Sequence, residues 1–342
     1  MSTVAVTGAG GFIGSHVADA LLARGDSVLA LDIGRKVPPN LKEAAGHAGF
    51  TYRTCDVTRP SSVRKAFQLH PDSVVHAAAT VGVEAYVRTP METVESSVIG
   101  TRTVLRAAMK PALRFVYLSS SEVFGRNPAV PWNETSDRVL GDPSLDRWSY
   151  SSSKGLCEHL VNAAHTEYGV PTAIARPFNI YGARQRPAFV IPTTVHRVLR
   201  GIAPVVYGDG LQTRCFTYIG DLVRALVLCL DRDAAVGETF NFGNPRERTV
   251  LEAVRLVLSA CGSHLTPTHV DPREAFGGGF DEIPRRVPAV EKAARVLGWT
   301  PTTDLPEGLE RTVEWARSHP EWLRARRATA LARPTPAEAS GP

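Results

Sequence analysis

Cysteine is sparse in this chain, and long apolar runs are missing. The five cysteines (Cys55, Cys157, Cys215, Cys229 and Cys261) are widely spaced, odd in number and free of any CxxC pair. That pattern argues against a disulfide framework or a zinc ribbon. They read as small buried hydrophobes of a reducing compartment, and no metal site is expected. No segment is apolar over the roughly 20 residues that a bilayer crossing needs, and "MSTVAVTGAGGFIG" carries no basic leader with a long apolar stretch. A cytoplasmic protein without a membrane partner is the expectation. Charge of one sign is scarce as well: 39 basic and 34 acidic residues leave +5. Much of that excess gathers after Trp322, where Arg324, Arg326, Arg327 and Arg333 stand against Glu338 alone. A nucleic-acid binder needs a basic stripe on a folded face, so nucleic acid is not an expected partner.

What is present is material for a large core: 342 residues, 43% of them hydrophobic, enough for one large or two modest domains. Short apolar runs alternate with amphipathic stretches, as in "TVAVTG", "SHVADALLARG", "SVLALD", "SSVRKAFQL" and "SVVHAAA". Repeated strand, helix, strand predicts an α/β protein with a Rossmann-type doubly wound parallel sheet. Longer helical patterns over about 91–109 and 150–168 flank the strand "RFVYLSS". From about Pro177 the rhythm changes to loops rich in Gly, Pro and Asn, "PFNIYGARQRP", "VVYGDGLQTR" and "NFGNPRERT". The expected division is a cofactor-binding domain over 1–178, with 217–243 packing back on it. A smaller α/β substrate-binding domain is expected from 179–216 and 244–322. Residues 323–342 are too poor in large apolar side chains to fold alone and are expected to form a disordered tail.

Gly8, Gly11 and Gly14 follow the strand "TVAV" and open a helix near Phe12. Glycines there let the backbone approach a pyrophosphate, which the helix N-terminus stabilises through its free N–H groups. Asp32 ends the next strand about 20 residues on, the spacing of a carboxylate on the adenosine ribose. A carboxylate there repels a 2′-phosphate, so NAD is expected rather than NADP, with Arg35 and Lys36 close by. Asp56, and Ala77, Ala78 and Ala79 of "HAAA", follow later strands at the same sheet edge. His76 by itself reads as a core histidine.

Tyr150 and Lys154 in "YSSSK" lie four apart on a predicted helix, hence on one face. An ammonium near a phenol favours the phenolate, as does a positive nicotinamide ring, so Tyr150 is the candidate base near neutral pH. With these pieces and "SSSEVFG" together, the sequence resembles the extended short-chain dehydrogenase/reductase family, the NAD-dependent nucleotide-sugar epimerases and dehydratases. The likeness runs to about Ser318, through "TGAGGFIG", "DV" at Asp56 and Val57, "HAAA", "SSSEVFG", "YSSSK", "RPFNIYG", "YGDGLQTRCFTYIGDL", "NFGNP" and "LGWTP".

The resemblance implies NAD held by Gly8, Gly11, Phe12, Ile13, Gly14, Asp32, Asp56, Val57 and Ala77 to Ala79, beside Tyr150 and Lys154. It implies Ser120 as the hydroxyl partner of Tyr150. It also implies a UDP-sugar substrate whose diphosphate meets Asn179, Arg214 and Arg286, and a homodimer through the two long helices. Ser97 stands where the family usually has Asn.

The family's shared first step is oxidation of the sugar at C4, and the fate of the ketone depends on the groups around it. A dTDP-glucose 4,6-dehydratase carries Asp then Glu before its "VYG" step, whereas this chain has Ser121 then Glu122. UDP-glucuronate decarboxylases have Ser then Glu there, a "GNP" loop and an arginine near Arg286. "YSSSK", however, looks like the epimerases, and "GARQRPAF" is similar to a stretch of UDP-glucuronate 4-epimerases whose second arginine, here Arg186, holds the substrate carboxylate. An arginine fork opposes decarboxylation by stabilising the carboxylate and fixing its plane. Glu122 is either an active-site carboxylate or an acceptor for backbone N–H groups. The expected reaction is therefore C4 epimerisation of UDP-glucuronate to UDP-galacturonate. UDP-glucuronate decarboxylation is the alternative, followed by UDP-glucose 4-epimerisation or dTDP-glucose 4,6-dehydration. A non-enzymatic NAD sensor of the same fold is expected to have lost the Tyr and Lys pair, and both are present.

Overall fold

The computed structural model describes residues 2–82, 86, 88–109, 113–272 and 283–324. Its strands form where short apolar runs are buried on both faces, as with "TVAVT" and "SVLALD". In chain order they are β1 (Thr3–Thr7), β2 (Ser27–Asp32), β3 (Phe50–Thr54), β4 (Ser73–His76), β5 (Arg114–Leu118), β6 (Thr172–Pro177), β7 (Ile180–Tyr181), β8 (Val205–Tyr207), β9 (Thr213–Arg214), β10 (Thr217–Tyr218), β11 (Glu238–Phe242), β12 (Arg248–Thr249) and β13 (Thr268–Val270). Seven of them make one sheet in the order β11-β6-β5-β4-β1-β2-β3. Every pairing in it is parallel.

The helices are α1 (Phe12–Ala23), α2 (Pro60–Phe67), α3 (Pro90–Ala108), α4 (Arg147–Tyr168), α5 (Val190–Leu199), α6 (Ile219–Asp231), α7 (Val250–Ala260), α8 (Glu291–Leu297), α9 (Leu305–Ser318) and α10 (Pro320–Arg324). One sheet face is covered by α1 and α6 through Val17, Leu21, Leu222 and Leu226. The other is covered by α2, α3 and α4 through Val63, Val104, Leu105 and Val161. Each such side chain contributes about 1.5–3 kcal/mol on full burial. The sheet is thus doubly wound, and its order reverses between β1 and β4, which places a ligand crevice at their carboxyl ends. Beyond the sheet, α5, α7 and α9 share a separate core around Val195, Val254 and Leu309. The pairs β7 with β10, β8 with β13 and β9 with β12 lie outside the large sheet.

Three boundaries differ from the expectation. Helix α4 begins at Arg147, ahead of Tyr150, because no breaker separates Asp146 from that tyrosine. Helix α3 starts on Pro90, whose missing N–H costs nothing at a first helical position. Leu323 and Arg324, expected in the tail, close α10. That helix is held where Trp322 Nε1 donates to the Gln185 carbonyl at 2.9 Å. The remainder of the expected tail, 325–342, lies outside the described residues.

Candidate active site

The turn after β1 is shaped by glycines. Gly8 has φ +67°, and a Cβ there would stand 2.8 Å from the Ala78 Cα, so the turn and the "HAAA" segment are packed backbone to backbone. A Cβ on Gly14 would collide with the Gly8 carbonyl oxygen. Gly11 is the N-cap of α1 and offers no side-chain cap, which leaves first-turn N–H groups, with Phe12 and Ile13 among them, for an anion in the crevice. Asp32 holds the loop through Oδ2, accepting from Gly10 N at 2.8 Å, and its Oδ1 accepts from Ile33 N at 2.8 Å. These residues fit the pyrophosphate and ribose of a dinucleotide. Asp56 accepts from Thr58 N and Oγ1 and pairs with Arg59 at 3.1 Å, beside the buried Val57.

At the ends of β4 and β5 the polar side chains sort themselves. His76 is fully buried, 2.7 Å from Thr7 Oγ1 and 3.2 Å from Thr101 Oγ1. Burial and the Lys154 charge lower its pKa to about 3, so it is a neutral core histidine, in keeping with its sequence context. Ser97 is buried, and its carbonyl accepts from Cys157 Sγ at 3.3 Å. Lys154 Nζ donates to the Leu118 carbonyl at 2.7 Å and lies 4.8 Å from the Tyr117 ring centroid and 5.9 Å from that of Tyr150. Burial lowers its pKa to about 8, against the pull of Cys157 and Glu158.

Tyr150 shares a hydrogen bond with Ser120, while burial, together with Glu122, pushes the phenol well above its ordinary value. Desolvation of the ring thus opposes the phenolate, which the expectation of a base near neutral pH has the Lys154 ammonium and a nicotinamide charge favour together. Tyr86, which no sequence signal singles out, stacks on Tyr150 with centroids 4.6 Å apart and planes at 9°.

Glu122 lies in a 3-10 turn (Ser121–Phe124) capped by Ser120, whose Oγ accepts from Glu122 N at 3.2 Å. Its half-buried carboxylate is ion-paired with Arg286, 164 residues away in the chain. Burial alone would raise its pKa, but Arg286, Arg147 and Arg214 together hold it below the usual carboxylate range. Glu122 is thus an anion and not a proton donor at neutral pH. Ser121 is buried beside it. Among the residues expected to serve the substrate, the structure brings together Ser120, Tyr150, Glu122 and Arg286, with Arg214 within electrostatic reach.

Others stand apart from that group in their bonding. Asn179, at φ +42°, donates through Nδ2 to the Cys215 carbonyl at 3.3 Å. Arg214 donates to the Thr213 carbonyl at 2.7 Å. Arg186 is exposed and donates to the Val81 carbonyl. Arg147 escapes the sequence reading because the helical pattern there begins only at Tyr150.

No helix among the described residues is long and apolar enough to cross a membrane. Among them, no three His, Cys, Asp or Glu side chains gather as a metal cluster would.

Comparison with known proteins places this geometry. Residues 4–243 match the NAD dependent epimerase/dehydratase family. The UDP-N-acetyl-alpha-D-glucosaminuronate decarboxylase of Bacillus cytotoxicus is 35% identical over 316 residues, 91% of this chain and 97% of that protein. UDP-glucuronic acid decarboxylase 1 of Arabidopsis thaliana is 35% identical over 315 residues, 91% of this chain and 68% of that protein. The UDP-glucuronic acid 4-epimerase of Bacillus cereus, solved with UDP-glucuronic acid and NAD, superposes with a TM-score of 0.80 at 26% identity, covering 92% of this chain and 99% of that one.

Proposed function

The chain belongs to the NAD dependent epimerase/dehydratase family, and we propose that it decarboxylates UDP-glucuronate by way of a 4-keto sugar. The observation that carries this reading is the Glu122–Arg286 ion pair next to Ser120 and Tyr150. Bound NAD, which the Gly8 to Gly14 turn and Asp32 would hold, supplies the hydride acceptor and donor for C4. Tyr150, as the phenolate that Lys154 beneath the ring and the positive nicotinamide would favour, takes the C4 hydroxyl proton through its hydrogen-bonded partner Ser120 and becomes the neutral phenol.

The ketone makes the sugar a β-keto acid. Its C5–C6 bond then breaks, the electron pair moves into the C4 carbonyl as an enolate, CO₂ departs, C5 takes a proton from water, and C4 regains its hydride while the Tyr150 phenol returns a proton to the C4 oxygen. A carboxylate beside an ionised Glu122 is destabilised relative to neutral CO₂. Arg286 is engaged by Glu122, and Arg147 and Arg214 are within electrostatic reach of the same Glu122 carboxylate, so the repulsion from Glu122 acts in a site that also holds cations. An epimerase needs the opposite, a clamp on the substrate carboxylate. Arg186, on which, together with "YSSSK", the expectation of epimerisation rests, is exposed and bonded to a main-chain carbonyl. A dehydratase needs an acid, and here Ser121 and an ionised Glu122 stand in its place. The likeness to a UDP-N-acetyl-alpha-D-glucosaminuronate decarboxylase and to a UDP-glucuronic acid decarboxylase supports the same choice.

In this reading a homodimer would bury the exposed Met91, Val94 and Ile99 of α3 and Leu156 of α4. The test is to incubate the protein with NAD and UDP-glucuronate and follow the products by NMR. UDP-xylose with CO₂ is expected. UDP-galacturonate would reinstate the epimerase, and turnover of UDP-glucose without reaction of the uronate would remove the carboxylate from the mechanism.

A further inference from the structure

One buried charged pair has no part in these steps, and it lies directly behind them. Glu158 is one turn beyond Lys154 on α4, and Arg176 is on β6; their side chains are 8% and 9% exposed. Arg176 grips the carboxylate with a fork, Nε to Oε1 at 2.8 Å and Nη2 to Oε2 at 2.5 Å. Its Nη1 donates to the Glu134 carbonyl at 2.9 Å, and its Cζ lies 5.0 Å from the ring centroid of Phe124, in the turn after Ser120. Ser119 Oγ donates to Glu158 Oε1 at 2.5 Å.

Ser119 precedes Ser120, and Ser120 is fully extended, with φ −160° and ψ 151°. Neighbouring side chains in extended backbone point to opposite sides. Ser119 therefore faces the ion pair while Ser120 faces Tyr150. A buried ion pair is weak evidence for stability, since apolar side chains of the same volume often do as well, and its best-attested use is to fix register.

We propose that Ser119, Glu158 and Arg176 are positioning residues that lock the end of β5, and with it Ser120, to the helix carrying Tyr150 and Lys154. The network also places a negative charge one turn from the lysine. The groups facing Lys154 are Tyr150, Cys157 and Glu158 on its own helix, Tyr117 on β5 and His76 on β4. Of these, Cys157 and, after it, Glu158 oppose the loss of the ammonium that burial drives. This inference rests on the reading of Ser120, Tyr150 and Lys154 as the reacting groups.

Three variants of the full chain test it, assayed with NAD and whichever of UDP-glucuronate and UDP-glucose the wild type turns over. Tyr150→Phe checks the reading beneath: if it keeps wild-type turnover, the site itself is misassigned. Ser119→Ala leaves the ion pair in place and cuts only its link to Ser120. It should lower kcat by about tenfold, with KM within about twofold and an unchanged melting temperature. The double variant Glu158→Gln, Arg176→Gln removes both charges without leaving one unpaired. It should move the alkaline limb of the kcat profile to lower pH, because Lys154 loses the anion that helps hold its proton. With Tyr150→Phe inactive, a wild-type kcat in Ser119→Ala overturns the proposal, as does an unshifted limb in a folded double variant. Should the double variant not fold, Ser119→Ala decides alone.

Discussion

Lys154 is a charged amine that the fold buries completely, and its cost depends on pH in a definite sense. Its pKa is about 8 in the folded chain against about 10.4 in the unfolded one. Between those values the unfolded chain binds more protons, so stability rises with pH there. The penalty is fully present below about pH 8 and fades above it. Lys154→Met should therefore melt no lower than wild type at pH 7 in calorimetry, and any advantage should shrink by pH 10. Its turnover should fall at least about a hundredfold. The Tyr150 and Lys154 pair is readable in the sequence because four-residue spacing on a helix is a local matter. The fate of Glu122 is not readable, because the cation that fixes its charge comes from Arg286, brought near only by tertiary folding. Tyr86 escapes for the same reason: nothing local says that its ring will lie on Tyr150.

Helix α1 shows how a missing side chain defines a binding end. Gly14→Ala would push a methyl group into the Gly8 carbonyl, which is main chain and has no room to give. Affinity for NAD, measured by calorimetric titration, should drop at least about tenfold, with a loss of about 1–3 kcal/mol in stability from overpacking. At the other end of the chain, Trp322 packs edge-on against His196 and Trp315, as well as donating to Gln185. Trp322→Ala should lower the melting temperature by a few degrees in calorimetry, since α10 and the loop at Gln185 lose their mutual anchor. The strands and long helices are legible because apolar periodicity marks them. That α10 takes in residues expected in a tail is not, because the contacts of Trp322 and not local propensity decide it.

The doubly wound sheet is readable from alternating runs, whereas the meeting of distant segments is not. Asp19 on α1 accepts from Arg184 Nη1 at 2.5 Å, so the dinucleotide helix grips the loop after β7. Arg184 sits at φ +65°, a left-handed backbone that this contact helps hold. If the bridge couples the two ligands, NAD should tighten UDP binding in wild type and do so less in Arg184→Ala. Titrations of UDP with and without NAD measure this, and equal coupling in both proteins would show the bridge to be purely structural.

The position of β11 has a consequence for biogenesis. This strand closes the sheet beside β6, yet its residues come after the whole excursion through β7 to β10. A nascent chain that has emerged only to β6 holds an unpaired strand edge and an apolar face still awaiting α6. Such surfaces invite association with other chains. The ribosome must therefore deliver residues to Phe242 before the sheet can finish folding, and a fragment ending at Pro177 is expected to aggregate when expressed alone.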